Sequence, residues 1–324
     1  MTTVSAERPA LSRDRTVDRT LVHRTALEEV FLTDFESRPD GFAGTARLPR
    51  AHAYYNEHLN HPAVHDPIAV FECVRQLLLC ALHLHHGATG EMKSITATCS
   101  LALPDPRALV IRDDYELLLL GRVARHKEHG GVTTRALHEV EVRLGDAVIG
   151  QVAVDTAQKD ARRYDELRMA FRDTAPPLSS ELIDDEPVSR VPPHLVGRTN
   201  PDNVLLLAPK QDEGGLTARL RVPVSHPGMF DHPHDHVPGP VMMEAARQAG
   251  TLLLCERFGQ APSKSVLTGL EAAYARFAEL DAGIVIEARP GAGPADPIGV
   301  RFLQSGEPVA EMTITMGTTL GWRP

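Results

Sequence analysis

The sequence predicts an α+β protein of two similar halves, each with several antiparallel strands wrapped around one long central helix. Two observations predict this class. Four short motifs occur twice in the same order, 171–174 residues apart, which indicates a tandem duplication. In each half, one apolar helical run is followed by strand-like runs that are separated by turn residues.

The repeated motifs define the two halves. Each pair is weak alone, but the shared order and spacing make the duplication specific. The pairs are LVHRT (21–25) with LVGRT (195–199), GFAGTARLPRAHAYY (41–55) with GGLTARLRVPVSHPGMF (214–230), HPAVH (61–65) with HPHDH (232–236), and FECVRQ (71–76) with MEAARQ (243–248).

Both halves repeat the same order of elements. A first strand leads through a loop rich in proline and histidine into the apolar helix, and further strands follow. We predict helices over 68–86 and 241–258. The predicted strands are 41–48, 94–103, 116–125, 132–144 and 147–157 in the first half, and 215–222, 265–277, 283–288, 299–304 and 309–316 in the second.

Composition shifts place the domain boundaries. Residues 1–18 are polar and of mixed charge, which predicts a disordered arm. The first domain is predicted over 19–157 and the second over 194–324. Between them, 158–193 is predicted as a linker, because a charged, helix-compatible run (159–172) is followed by a segment rich in proline and acidic residues.

Charge and cysteine usage restrict the function. The net charge of −9 and the scattered basic residues argue against a nucleic-acid partner. No secretory signal is visible, and the longest apolar helical stretch (76–86) is too short to span a bilayer, so a cytoplasmic protein is expected. The four cysteines match neither a zinc module nor a disulfide framework: Cys73, Cys80, Cys99 and Cys255.

Each apolar helix carries the same three polar residues on one face. Glu244, Arg247 and Gln248 lie at i, i+3 and i+4, and the first helix repeats them as Glu72, Arg75 and Gln76. A local ion pair would explain one such set. Because shielding charges is costly, two equivalent placements, each just after a His-Pro loop, favour functional sites.

The second helix and its loop resemble the hotdog-fold dehydratases that act on hydroxyacyl carrier protein. Pro238, Gly239, Glu244, Ala245 and Gln248 match their PG-x-x-x-x-E-A-x-x-Q pattern, and residues 265–288 resemble the long strand that follows. The match departs at two positions, which puts dehydratase activity in doubt. The dehydratase histidine position holds Phe230, and Arg247 replaces a small or apolar residue.

The doubled HPxxH…E-x-x-R-Q motif resembles the A-factor biosynthesis hotdog proteins, the γ-butyrolactone autoregulator synthases of Streptomyces and relatives. The resemblance covers roughly 21–156 and 194–317. It implies a tandem double hotdog fold. It also implies condensation of a β-ketoacyl thioester, on carrier protein or CoA, with dihydroxyacetone phosphate, giving a phosphorylated butenolide precursor of a γ-butyrolactone or methylfuran-type signal. Glu72, Glu244 and Arg247 are the residues that it implies are essential.

The chemistry suggests a role for each residue type. A partly desolvated Glu72 or Glu244 would have a raised pKa and act as a base. Arg75 and Arg247 compete for the phosphate, and amides near residues 239–241 could hold an oxyanion. No cofactor is expected. The remaining candidate substrate contacts are Gln76, Gln248, Gly239 and four histidines: His61, His65, His232 and His236.

The histidines leave two alternatives open. His232 or His236 could shuttle protons, since an unperturbed imidazole titrates near pH 6.5. The HPxxH histidines, together with His234, could instead bind a metal. The proline inside each HPxxH pair breaks the helical i,i+4 geometry that such a site would use, so we predict no metal.

The two sites are predicted to be unequal. Pro238–Gly239 precedes the second helix, where a glycine lets the backbone approach a ligand closely. Asp66–Pro67 precedes the first helix, so the mouth of the first site should be tighter and more acidic. We therefore expect the chemistry at Glu244 and Arg247 and a supporting site at Glu72 and Arg75. Two alternatives remain, a hotdog dehydratase or thioesterase and a non-catalytic protein that binds an acyl ligand. A homodimer is compatible with the sequence.

Overall fold

A computed structural model describes residues 11–86, 92–112, 115–129, 132–170, 172–184 and 189–321. It contains three α-helices and twelve strands within these ranges. The helices are α1 (Pro67–Leu84), α2 (Ala161–Met169) and α3 (Gly239–Phe258). The strands are β1 (Leu32–Arg38), β2 (Gly41–Arg47), β3 (Met92–Ala102), β4 (Glu116–His129), β5 (Val132–Leu144), β6 (Ala147–Asp160), β7 (Leu206–Asp212), β8 (Gly215–Leu220), β9 (Ser265–Tyr274), β10 (Ile284–Arg289), β11 (Ile298–Gln304) and β12 (Glu307–Thr318).

The two halves share one antiparallel sheet. Its order is β1-β2-β4-β5-β6-β3-β9-β12-β11-β10-β8-β7, so the second half repeats the first in reverse about the β3–β9 pair. That central pair runs from Thr98 opposite Ala273 to Ala102 opposite Gly269. The predicted α+β double hotdog fold is confirmed, and its two sheets are joined edge to edge into one.

Each half buries one long helix against its sheet. The α1 helix packs on β1 and β2, and α3 packs on β12 and β10. Asp66 caps the N-terminus of α1 by accepting from the Ile68 amide, while Gly259 ends α3 in the left-handed conformation at φ 68°. By length and composition α1 could cross a membrane, but 83% of it is buried inside the fold, as expected of a core helix.

Two strands were not predicted. They are β1 and β7, which form the two edges of the sheet, and each pairs with a single strand of the sheet. Their sequences, LTDFESR and LLAPKQD, are short and mostly polar, and β7 contains a proline. Edge strands tolerate such residues because one side of their backbone is not paired in the sheet.

The segments predicted as arm and linker contain ordered structure. Residues 1–10 lie outside the described residues, but Ser12 and Val17 bind the first half through Asp34 and the Leu32 carbonyl. The linker forms α2, and its Arg168 binds Asp235 and Glu279 of the second half. Because Arg168 is only 3% exposed, the linker is anchored to the second half.

Candidate active site

Glu72 of α1 is enclosed by two arginines and a glutamine. Arg75 donates to its carboxylate through Nε at 2.7 Å and Nη2 at 2.9 Å, and Arg24 donates through Nη2 at 2.7 Å. Gln76 donates at 2.8 Å and also binds the Glu29 carbonyl. Glu72 is 1% exposed, so these groups replace its contact with water.

Glu244 of α3 has the same arrangement. Arg247 Nε donates to it at 3.0 Å, Arg198 Nη2 lies 3.0 Å from its Oε1, and Gln248 donates to the same oxygen. Gln248 also binds the Asn203 carbonyl. The predicted proximity of Glu244 and Arg247 is confirmed. Both glutamines orient their glutamate, and their other contacts in the described structure go to backbone groups.

The sequence analysis missed the second arginine of each cluster. Arg24 and Arg198 are the arginines of the repeated LV-x-R-T motif, some 48 residues before the glutamate in the first half and 46 in the second. The motif served only as a marker of the duplication. A charged residue that recurs at the same place in both copies was the signal that could have revealed it.

The prediction that the pKa values of the two glutamates are raised is wrong. Burial by itself would raise the pKa of Glu72, but the charges of Arg24 and Arg75 outweigh burial and lower that pKa to about 2. The same balance, with Arg198 and Arg247, lowers the pKa of Glu244. Both carboxylates are therefore ionised at neutral pH, and neither is suited to be the general base.

The loop before each helix lies beside the glutamate of the other half. His58, in the loop before α1, lies 3.1 Å from Arg247 Nη1 and 2.7 Å from Asp66. The loop before α3 lines a cavity together with Arg24 and Arg75. The acidic Asp66–Pro67 segment thus closes the second site, and Pro238–Gly239 belongs to the first.

A cavity of about 1050 Å³ runs along α1. Its cationic lining comes from Arg24, Arg75 and Lys93, and its apolar lining includes Leu78, Leu79, Leu82, Met229 and Val154. Further parts of the wall come from most residues of the segment 228–241 and from the linker, including Tyr164 and Leu178. A cavity of this size, with polar groups converging at one place on an apolar wall, is typical of a ligand site.

The prediction that the second site is the more accessible one is wrong. The Arg75 side chain is 29% exposed and lies on the cavity wall, whereas Arg247 is 9% exposed and Glu244 is fully buried. We predicted that Pro238–Gly239 and Asp66–Pro67 each affect the site on the helix that follows. Each loop instead crosses to the other half and borders the site there. Glu244 and Arg247 do not line this cavity.

The histidines divide into two groups. His232, His234 and His236 line the cavity, and His232 and His236 face the carboxylates of Asp231 and Asp235 at 3.3 and 2.6 Å. His61 and His65 do not line it. Among the residues that the structure describes, no three His, Cys, Asp or Glu side chains are grouped so that they could hold a metal ion.

The N-terminus of α3 offers one free amide to the cavity. The Val241 and Met242 amides bind the Pro238 carbonyl and Pro240 has none, while the Gly239 amide has no partner within the described ranges. A Cβ at Gly239 would lie 2.8 Å from the Tyr274 hydroxyl, which explains the glycine by packing. Of the amides near residues 239–241 that were proposed to hold an oxyanion, the Gly239 amide is therefore the remaining candidate.

Comparison with known proteins matches most of the chain to one family. The family model of the A-factor biosynthesis hotdog domain (AfsA) matches residues 5–158 and 180–320. The chain belongs to the A-factor biosynthesis hotdog family. Two relatives are named 2-oxo-3-(phosphooxy)propyl 3-oxoalkanoate synthase. The protein from Streptomyces coelicolor is 30% identical over 86% of this chain and 83% of its own, and that from Streptomyces virginiae is 32% identical over 85% and 87%.

Solved structures support the same fold for this A-factor family member. A putative oleoyl thioesterase from Lactobacillus plantarum has a TM-score of 0.52 at 12% identity, covering 85% of this chain and 95% of its own. The dehydratase domain of RzxB from Pseudomonas fluorescens has a TM-score of 0.50 at 15% identity, covering 88% and 97%. At such identities the likeness concerns the fold.

The A-factor family member lacks a histidine where the resemblance to dehydratases would place one. Phe230 occupies that position, is 8% exposed and packs its ring against His234, with 5.7 Å between the centroids. An apolar ring cannot transfer protons. The cavity instead combines the guanidinium groups of Arg24 and Arg75, several histidines and an apolar wall, which suits a phosphorylated substrate together with an acyl chain.

Proposed function

We propose that this protein transfers a β-ketoacyl group from a thioester to dihydroxyacetone phosphate, forming a 2-oxo-3-(phosphooxy)propyl 3-oxoalkanoate. The observation that carries this proposal is the match to relatives named for that product, which extends over 83–91% of their lengths. The cavity beside Glu72 supports it, because it offers cations for a phosphate and an apolar wall for an acyl chain.

Arg75 is the best placed phosphate ligand. Glu72 holds its Nε and Nη2, and no partner is found for its Nη1 in the described part of the chain. Since the guanidinium is fixed before the substrate arrives, little side-chain entropy is lost when phosphate binds. Lys93 adds a second cation on the same cavity wall.

The thioester carbonyl would lie near the N-terminus of α3. When the hydroxyl oxygen attacks, negative charge develops on the carbonyl oxygen, and a fixed donor there lowers the barrier. The Gly239 amide is the free donor at this helix end. The acyl chain would follow the apolar side of α1, along Leu78, Leu79 and Leu82.

The ester carries the groups needed for ring closure. The carbon between its two carbonyls is acidic, and its attack on the ketone of the triose, followed by loss of water, gives a phosphorylated butenolide. That compound would be the precursor of a γ-butyrolactone or methylfuran-type signal. Carrier protein and CoA share the phosphopantetheine thioester, so either could donate. Since both substrates are metabolites of the cytoplasm, we expect the protein to act there.

The proposal is tested by mass spectrometry of the products from purified protein, a β-ketoacyl-CoA and dihydroxyacetone phosphate. We expect a phosphorylated ester or butenolide and free CoA in equal amounts, with no turnover when dihydroxyacetone phosphate is omitted. Release of a free β-keto acid at the same rate without dihydroxyacetone phosphate would instead identify a thioesterase. An acyl-CoA bound and recovered unchanged would identify a non-catalytic binding protein.

A further inference from the structure

We propose that His232, oriented by Asp231, is the general base that takes the proton from the attacking hydroxyl. This inference rests on the proposed function. It assigns the proton transfer to the second half of the chain, whereas Arg24, Glu72 and Arg75 come from the first. The site is then built from both halves.

Asp231 fixes the orientation of His232. Its side chain is 1% exposed and accepts the Thr25 amide at 2.7 Å and the Ala26 amide at 2.9 Å. Its Oδ2 also lies 3.3 Å from Nδ1 of His232. A carboxylate at Nδ1 favours the tautomer in which that nitrogen carries the proton, which leaves the lone pair of Nε2 to accept one.

The same contacts place His232 beside the arginines. Thr25 and Ala26, whose amides Asp231 accepts, directly follow Arg24, which donates to Glu72. Asp231 therefore holds His232 close to this arginine. The His232 side chain is 30% exposed and lies on the cavity wall with Arg24 and Arg75. A substrate whose phosphate is bound by Arg75 could therefore present its hydroxyl to the imidazole.

Burial, assisted by the nearby arginines, favours the neutral form of the imidazole. Burial lowers the pKa of His232, Asp231 acts in the opposite direction, and Arg24 and Arg75 lower the pKa further. The imidazoles of His23 and His234 also face this part of the cavity. At neutral pH the ring is therefore in the form that accepts a proton.

The other histidines of the cavity fit the role less well. Asp235, the partner of His236, is already bound by Tyr164 and Arg168, and the His236 ring packs on Phe277 at a centroid distance of 5.0 Å. His23 and His83 bind each other, with 3.0 Å between their Nε2 atoms.

The proposed step is balanced. The substrate oxygen bonds to the thioester carbon while its proton moves to Nε2 of His232. The tetrahedral intermediate then collapses, the carbon–sulfur bond breaks, and the leaving sulfur takes the proton from the imidazolium. The free thiol and the ester are the products, and the histidine returns to its neutral form.

His232→Gln and His126→Gln form a matched test, because both histidines face a carboxylate but, of the two, only His232 lies on the cavity wall. We expect His232→Gln to lower kcat at least about 100-fold, the lower end for general-base catalysis, with the KM for dihydroxyacetone phosphate changed less than threefold. His126→Gln, outside the cavity, should keep kcat within about threefold. Wild-type activity in His232→Gln would overturn the assignment.

The pH dependence separates catalysis from a structural role. The wild-type kcat should fall as pH decreases through the pKa of His232, below 6.5. In Asp231→Asn this decline should move to lower pH, because a charge that raises the imidazole pKa is removed. An unshifted profile would overturn the proposal, and this variant also serves if His232→Gln fails to fold. A wild-type protein that forms no ester refutes the proposed function and the base with it, whereas an active His232→Gln refutes the base alone.

Discussion

Each central helix carries a buried carboxylate that binds two guanidinium groups. Glu72 and Glu244 are almost fully buried, and each binds two arginines. Desolvating an ion costs several kcal/mol, so such a cluster persists only if the charges remain paired. The two clusters differ because Arg24 and Arg75 of the first line a cavity, and Arg75 is the more exposed of the two, whereas Arg198 and Arg247 of the second do not line it.

Removing the charge of Glu244 should destabilise the protein more than removing the charge of Glu72. Glu244→Gln removes the buried carboxylate that pairs directly with both Arg198 and Arg247, so we expect a loss of about 3–5 kcal/mol of unfolding free energy. Glu72→Gln should cost less, since Arg75 is 29% exposed and can be hydrated. Urea denaturation of both variants measures this, and a larger loss for Glu72→Gln would contradict it.

The buried histidines predict that stability falls with acidification. Burial is the main cause that lowers the pKa values of His23, His58 and His138 to about 4. Because the unfolded chain titrates near 6.5, it binds more protons than the folded chain between pH 6.5 and 4. The stabilisation is complete above pH 6.5 and is lost as pH falls, by up to about 1.4 kcal/mol per pH unit for each group.

Urea denaturation between pH 8 and 5 measures this slope, provided the protein refolds reversibly. The variant His138→Leu removes one of the three groups and should reduce the slope by about one proton. A further decline between pH 4.5 and 2 is expected from Glu72, whose folded pKa of about 2 lies below its ordinary value. Unfolding free energies that stay level from pH 7 to 5 would refute the expectation.

At the scale of elements, the start of α3 is fitted to β9. A Cβ on Gly239 would approach the Tyr274 hydroxyl to 2.8 Å and Cζ to 3.2 Å. We expect Gly239→Ala to destabilise the protein by about 1–3 kcal/mol through overpacking. Tyr274→Phe in the same chain should restore part of the loss, because it removes the atom of closest approach.

Thermal or urea denaturation of the single and double variants tests this packing. Gly299→Ala is the control, since a Cβ there would meet nothing within 4 Å and the change should be close to neutral. A Gly239→Ala variant as stable as the wild type would show that α3 can shift away from β9.

The α2 helix depends on one arginine. Arg168 is 3% exposed, donates to Asp235 and Glu279, and lies 4.3 Å from the centroid of the Phe277 ring. Arg168→Ala leaves both carboxylates without this partner, so we expect a loss of about 3 kcal/mol and a less ordered loop at 231–237. Arg162 is the control, because it is 84% exposed and its one ion pair among the described residues is with Glu166.

Stability measurements on Arg168→Ala and Arg162→Ala should differ clearly. The exposed pair contributes at most about 0.5 kcal/mol in typical helices. Because Asp235 belongs to the loop that lines the cavity, Arg168→Ala should also raise the KM for the thioester. Equal effects of the two substitutions would show that the linker does not support the loop.

At the scale of the whole molecule, the duplication made the fold predictable. Repeated motifs and alternating strands identified both helices and ten of the twelve strands. The helix periodicity also grouped Glu72, Arg75 and Gln76, because residues at i, i+3 and i+4 share a face. The joining of the halves through β3 and β9 was not predictable, since strand pairing between domains leaves no local pattern.

The assignment of the more accessible site failed for a related reason. Sequence order suggested that each loop serves the helix that follows it, but the loops cross between halves. Asp66 therefore lies near Arg247, and His232 and Gly239 lie near Arg75. Helix periodicity could not identify the partners Arg24 and Arg198, because they precede the glutamates by more than forty residues and lie outside the helices.

We infer that the reaction takes place at Arg75 and not at Arg247. This inference is tested most directly by the KM for dihydroxyacetone phosphate in Arg75→Lys and Arg247→Lys, which keep the charge and remove the fork geometry. We predict that Arg75→Lys raises this KM at least about tenfold, the equivalent of one charge-assisted hydrogen bond. Arg247→Lys should lower stability and leave the KM of the folded protein within about twofold. An increased KM in Arg247→Lys together with an unchanged KM in Arg75→Lys would place the reaction at Arg247 instead.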